Sequence, residues 1–487
     1  MNTCDDKYEQ KYKKYKQKYL KTKQKYLKTK QIMKGGVVPQ LPIDVLNEIG
    51  KNVKLQDLIN LMSTSTGAST GMNLIILGLL PNYEFDMNII PKNIPNLNQK
   101  DSDEKIRQIN NAITQITNVQ NDDLDTLKQR FPNLKRLTFG KWFLLPIGPG
   151  TLPESLTNLT FNEWFNEPIG PGTLPESLTN LTFSEKFNQS IGPGILPKSL
   201  TNLTFGVMFD QPIGPEVLSK SLTHLTFGKK FNQPIEPRVL PESLTHLTFN
   251  HLFNQPIRPE ILPESLTHLT FGWKFNQPIP TQKSWSADPQ IKQILTDVLP
   301  KSLTHLTFGY EFNQSIGPGI LPKSLTNLTF GSYFNQPIEP GVLPNSLTNL
   351  NFGYNFNQPI EPGVLPKSLT HLTFDTEFNQ PIGPEVLPKS LTNLTFGWNF
   401  NQPIGPEVLP KSLTNLTFRW NFNQPILTNV LPKSLTHLTF GARFNQPIGP
   451  EILPKSLTNL ILPERYNKPE FKQKLPKNLN VTYIQHN

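Results

Sequence analysis

Six of the eight histidines in this 487-residue chain occupy one position of a repeated phrase, the residue after Ser-Leu-Thr. They are His224, His246, His268, His305, His371 and His437. If successive copies stack as neighbouring strands do, about 5 Å apart, two such imidazoles could clip a metal ion. No cysteine or carboxylate column runs beside them, and Asn takes the position elsewhere, with Arg136 in the first copy. A position exchanged freely with Asn needs only a polar side chain, so no metal and no other cofactor is expected. Asn-Leu-Thr triplets at Asn158, Asn180, Asn202, Asn327, Asn393 and Asn415 match the N-glycosylation pattern, but they recur because the phrase recurs. No Ser-His-Asp spacing, phosphate-cradling glycine loop or paired carboxylates stand apart from the repeat. No catalytic residue, and so no enzyme, is expected.

Chemistry is carried instead by a pair of positions that the repeat leaves free. A phenylalanine recurs every 22 residues from Phe143 to Phe275 and, after one step of 37, every 22 from Phe312 to Phe444; Tyr466 closes the series. That makes fifteen coils. Around it the sequence is nearly constant, as in "LPKSLTNLTFGWNFNQPIGPEV", except for the two residues before the phenylalanine. Five of the six tryptophans lie in those pairs. Trp142, Trp164, Trp273, Tyr310, Tyr333, Tyr354, Trp398, Trp420 and Arg443 are the residues expected to contact a target protein, because Trp, Tyr and Arg dominate binding hot spots. Trp285, in the insertion that follows Ile279, is a weaker candidate.

A fixed 22-residue period with two or three prolines per copy excludes long helices and indicates a solenoid of strands and turns. Leu416 and Phe418 alternate with Thr417, as in a strand with one buried face. Leu413, Phe400, Ile404, Val408 and Leu409 fill the interior, and Pro403, Pro406 and Pro410 set turns, with Gly405 easing one. The near-constant Asn after the phenylalanine should stack into a ladder that satisfies turn backbone groups of neighbouring coils. Fifteen coils would extend about 70 Å at the strand spacing.

Charge and composition bound the remainder. Nine of the ten net positive charges sit in residues 1–36, a Lys/Tyr-rich arm with twelve lysines against Asp5, Asp6 and Glu9. The main body is nearly neutral, so nucleic acid is not expected as a partner except through that arm. One cysteine, Cys4, excludes an internal disulfide and fits a reducing compartment. The longest apolar run, residues 72–80, is too short to span a bilayer, so no membrane partner is expected and the setting is intracellular. Residues 37–80 form a small all-α module: Leu41, Val45, Leu46 and Ile49 make one stripe behind Pro42, and Leu58 and Leu61 lie on a second. Residues 81–100 read as a linker. Residues 101–130 read as a helical N-terminal cap, with one helix to 119 carrying Ile106, Ile109, Ile113 and Ile116 on one face. Residues 131–487 are the solenoid, with its insertion at 280–294.

The phrase "FNQPI" followed by "LPKSLTHLTFG" resembles the FNIP repeat, known from slime moulds and giant viruses, and the "LPxSLxxLxF" part resembles short leucine-rich repeats. The resemblance implies a leucine-rich-repeat-like β-solenoid behind the small all-α module. Residues 41–65, "LPIDVLNEIGKNVKLQDLINLMSTS", resemble the F-box, with Gly50 and the "TGAST" ending departing from its pattern. That resemblance implies a substrate-recognition subunit of a cullin-RING ubiquitin ligase in the host cytoplasm. Leu41, Pro42, Val45, Leu46, Ile49, Leu58 and Leu61 would then dock on the ligase's adaptor subunit, and the coils would hold a target. The alternative is a stand-alone binding or structural scaffold.

Overall fold

The structure is a computed structural model that describes residues 85–87, 99–121, 124–279, 298–477 and 479–484. These fall into two units, one ending at Gln115 and the other running from Ile116 onward with residues 86–88. In the first unit the helix Gln99–Ala112 is held by an exposed Glu104–Arg107 ion pair and buries Ile109. It is shorter than the helix to 119 expected from the isoleucine spacing. The β-branched run behind it forms the strand Gln115–Val119 instead, which ends beside Asn118 at φ 58°.

The second unit is a parallel β-solenoid. Sixteen strands, from Arg136–Phe139 to Asn480–Ile484, pair in unbroken parallel register, each with its neighbour one coil on. This run has one strand more than the fifteen coils counted from the phenylalanine series, because its last strand follows Tyr466. The insertion does not disturb the register: His268 still pairs with His305. Most strands have only three residues, since each is bounded by a tight turn ahead of it, which opens on Ser219 before His224–Thr226 and on proline in most coils, and a second turn behind it.

The interior is columnar. In the coil of Phe418, the two leucines Leu413 and Leu416 and the two phenylalanines Phe418 and Phe422 are all but fully buried. Phe418 and Phe422 stack with centroids 3.8 Å apart, and Phe418 stacks on Phe440 of the next coil at 5.6 Å. Two phenylalanine columns thus run side by side along the sheet. Each ring pair adds about 0.5–1.5 kcal/mol beyond its buried area. Among the described residues no helix is long and apolar enough to cross a membrane.

Candidate binding surface

Each strand is held between two tight turns, and those turns decide which side chains face solvent. Ahead of the strand, the Leu413 N–H donates to the Pro410 carbonyl at 3.1 Å, which puts Lys411 and Ser412 at the corners. Ser412 Oγ donates to the Leu391 carbonyl at 2.6 Å and so fastens the turn to the preceding coil. Behind the strand, the Phe444 N–H donates to the Gly441 carbonyl at 3.2 Å, which puts Ala442 and Arg443 at the corners. These second corners are the free pair of the sequence. Their backbone is also laddered: Asn421 N–H donates to the Trp398 carbonyl at 2.9 Å, and Arg443 N–H to the Trp420 carbonyl at 3.0 Å. The backbone ladder recurs whatever the side chains are, so they can vary; some pair with the next coil, as Asn421 Nδ2 does by donating to Asn399 Oδ1 at 2.8 Å and Lys141 does with Glu163.

The corner columns contain all nine residues expected to meet a target. Trp142, Trp164, Trp273, Tyr333, Tyr354, Trp398 and Arg443 are exposed, and Tyr310 and Trp420 are half-buried. Trp142 is the most open of the aromatic residues, at 58%. The rings meet one another along the solenoid. Trp142 stacks on Trp164 at 5.6 Å, Trp273 on Tyr310 at 4.0 Å and Trp398 on Trp420 at 4.7 Å. Lys186 Nζ lies 5.0 Å from the Trp164 ring centroid, a cation–π contact. Stacked rings cover one another's faces and turn their edges outward. The strip is therefore three aromatic clusters, in the first, middle and late coils, and each is partly satisfied by itself.

The solvent face of the sheet lies between the two rows of corners. It consists of the Asn/His column and two threonine columns, mostly half-buried. His224, His246, His268 and His305 stack at 4.2, 4.1 and 4.1 Å, nearly parallel. Each Nδ1 lies 2.9 Å from the hydroxyl of the threonine before it. That hydroxyl donates its one proton to the threonine carbonyl of the preceding coil at 3.0–3.1 Å. Nδ1–H is therefore the donor to the hydroxyl, and Nε2 carries the lone pair. His437 agrees, because its Nε2 lies 2.9 Å from the Asn459 amide nitrogen, which can only donate. In parallel stacked rings these lone pairs point side by side and do not converge on an ion. Among the described residues no group of three or more His, Cys, Asp or Glu could hold a metal. Burial, then neighbouring imidazoles, hold His246 and His268 below the usual histidine range.

The asparagine ladder joins the coils on the far side of the second turn. Asn188, Asp210, Asn232 and their successors each donate a backbone N–H to the side-chain oxygen one coil back, at 2.7–2.9 Å. Gln Nε2 groups beside them reinforce it. The first coil departs from this frame. It carries Leu144 and Leu145 in place of Asn-Gln, both exposed beside Trp142, and Leu144 N–H is met by Asn121 Oδ1 at 3.0 Å.

Other candidates lie outside the described residues: Leu41, Pro42, Val45, Leu46, Ile49, Leu58, Leu61, the basic arm and Trp285. Sequence reasoning missed two surface features. One is the Leu144–Leu145 pair, signalled by "FLLPI" where other coils read "FNQPI". The other is the lysine corner of the first turn, signalled by the choice between "LPKS" and "LPES".

The FNIP Repeat family model matches residues 165–207, 209–251, 253–281, 292–333, 334–377, 378–419, 400–443 and 444–484, more than half of the chain. Among solved structures, the chain is similar to a circular leucine-rich-repeat protein of the giant virus CroV, at 45% identity with a TM-score of 0.68. The alignment covers 79% of this chain and 54% of that one, so the chain spans about half the length of that relative. It is also similar to YopM from Yersinia enterocolitica, at 20% identity and a TM-score of 0.39, over 76% of this chain and 86% of that one. No curated protein matches the chain.

Proposed function

Because this chain belongs to the FNIP repeat family, we propose that it is a protein-binding scaffold whose corner columns behind the strands hold a target protein. One observation carries the reading: five of the six tryptophans fall at the one pair of positions whose backbone ladder sets no fixed side chain. Exposed Trp and Tyr on rigid turns lose little entropy on binding, which suits them to anchor a partner.

The finer form of the proposal makes the chain the substrate-recognition subunit of a cullin-RING ubiquitin ligase inside the host cell. The F-box resemblance of residues 41–65 supports it. Leu41, Pro42, Val45, Leu46, Ile49, Leu58 and Leu61 would contact the adaptor subunit, and any bond chemistry would belong to the other ligase subunits.

The test is co-purification from host-cell extract of the full chain, of a Leu46→Lys/Leu58→Lys variant and of a Trp398→Ala/Trp420→Ala variant. Loss of adaptor and cullin from the first variant alone supports the ligase reading. If no adaptor is retained by any of the three while a target is lost from the tryptophan variant, the protein is a stand-alone scaffold. Partners indifferent to the tryptophans would overturn the binding surface.

A further inference from the structure

The solvent face of the sheet has two rims of different chemistry in its C-terminal half. Behind the strands stand Tyr333, Tyr354 and Trp398, each exposed by close to half. Ahead of the strands stands the first corner of the proline turn. That corner is Lys301 and Lys323, then Asn345, then lysine again at every 22nd residue from Lys367 to Lys455. All seven lysines are exposed. Their turns are closed by the same bond in every coil, from Pro300–Leu303 at 3.1 Å to Pro454–Leu457 at 3.0 Å. The serine beside each lysine fastens its turn to the coil before, as Ser390 does to Leu369 and Ser434 to Leu413. The corners therefore follow the stacking of the strands, about 4.8 Å apart, which makes a row roughly 34 Å long.

No ion pair among the described residues fixes these lysines, although Glu385, Glu407 and Glu451 stand four residues before Lys389, Lys411 and Lys455. The ion pairs among the described residues join Arg107 to Glu104, Lys128 to Glu154, Lys141 to Glu163, Lys274 to Glu311 and Arg419 to Asp375, and none involves these lysines. The frame does not require lysine there either. In the N-terminal half the same corner is Glu154, Glu176, Glu242 and Glu264, with lysine only at Lys198 and Lys220. Separation of charge is thus a property of one half of the solenoid and not of the repeat.

From this juxtaposition we infer that the C-terminal half takes an extended acidic segment with apolar anchors. Its carboxylates lie along the lysine rim, its apolar side chains meet the aromatic rim, and its backbone crosses the neutral Asn/His and Thr floor. The inference rests on the protein-binding reading above and names the chemistry of the target. A peptide fits better than a nucleic acid at Trp398, where Trp420 covers one face of the ring at 4.7 Å and 6°. Bases need an open aromatic face on which to stack. Apolar side chains need only the ring edges, and flexible lysine stems absorb the mismatch between corner spacing and the roughly 6.8 Å repeat of one side of an extended strand.

The test measures fluorescence anisotropy of three labelled probes with the full chain at low salt. These are a sixteen-residue peptide of alternating Asp and Leu, its Lys-Leu counterpart, and a sixteen-nucleotide oligothymidylate. The acidic peptide is expected to bind tightest and to weaken at least tenfold when Lys367, Lys389, Lys411 and Lys433 are all changed to Glu, a residue the same corner already carries elsewhere. A second variant with Gln at all four guards against misfolding and should weaken binding at least threefold. Trp398→Ala should do the same, whereas Glu154→Lys/Glu176→Lys, several coils from the row, should change nothing. Tighter binding of the oligothymidylate, or equal acidic-peptide binding by the lysine variants, overturns the inference. A cellular target lost from Trp398→Ala but kept by the lysine variants would leave the scaffold reading standing and this inference refuted. A target indifferent to both would refute both.

Discussion

The side-chain oxygen of Asn401 accepts the backbone N–H of Asn423, one coil on, at 2.8 Å. Its own N–H is met in the same way by Asn379 Oδ1, also at 2.8 Å, so each rung both gives and receives. Asn401→Ala removes an acceptor that no other group replaces and leaves the Asn423 N–H without a partner. The expected loss is about 1–3 kcal/mol of local stability. Asn401→Asp should be nearly neutral, because Asp210 already fills a rung and accepts the Asn232 N–H at 2.9 Å. Hydrogen exchange at Asn423 measures both. Equal protection in Ala and Asp variants would show that the ladder contributes nothing.

Glu407 sits at φ 63°, in the left-handed region, where other coils place glycine, as Gly363 does at 86°. A side chain there costs roughly 1–2 kcal/mol relative to the right-handed form. Glu407→Gly should therefore stabilise the late coils, by about 1 kcal/mol after the greater entropy of glycine in the unfolded chain is deducted. Gly363→Val should destabilise by at least as much. Thermal unfolding of the two variants beside the parent decides this, and a fall in midpoint for Glu407→Gly would count against it.

That turn also shows how far the sequence could be read. The 22-residue period, the buried Leu413, Leu416, Phe418 and Phe400, and the asparagine ladder follow from composition and alternation, because each position has one strong physical demand. The left-handed residue could not be placed that way. Gly405 was the expected hinge, but the positive φ falls on Glu407, since Pro406 fixes the residue before it and the backbone bends there whatever side chain follows. The Ile113–Ile116 stretch misled for a related reason. Isoleucines three apart satisfy a helix, yet β-branched Thr114, Ile116, Thr117 and Val119 satisfy a strand better, and only the partner decides. Within the surface, the free pair was legible as free. That its tryptophans stack on one another was not, because stacking depends on which coils happen to be neighbours.

The four stacked imidazoles make the middle coils sensitive to acid. His246 and His268 have native pKa values below the ordinary 6.5, through burial and then through the neighbouring imidazoles, among them His224 and His305. A lowered native value means that the unfolded chain binds more protons, so this contribution is complete above pH 6.5 and is lost as pH falls through the native values. Protection of these coils against hydrogen exchange should decline between pH 7 and pH 5. His246→Asn/His268→Asn uses the residue that other coils carry and should flatten the decline. An unchanged pH profile in that variant would remove the column from the explanation.

Trp398 and Trp420 separate self-stacking from partner contact. Their rings lie 4.7 Å apart and 6° from parallel, yet Trp398 remains 45% exposed. If stacking were their whole role, Trp398→Ala and Trp420→Ala would each cost about 0.5–1.5 kcal/mol of stability, and the double variant little more than either. Target affinity would then fall only as far as folding did. The binding role requires a different outcome. Trp398→Ala should weaken a captured target by at least 2 kcal/mol at a temperature where all variants are fully folded, because hot-spot tryptophans lose that much on truncation. Half-buried Trp420, which supports the ring of Trp398 more than it faces solvent, should weaken it less. Calorimetric titration of the target against both variants, with unfolding curves run in parallel, separates the two contributions. Affinity that follows stability alone would assign the tryptophans to the scaffold.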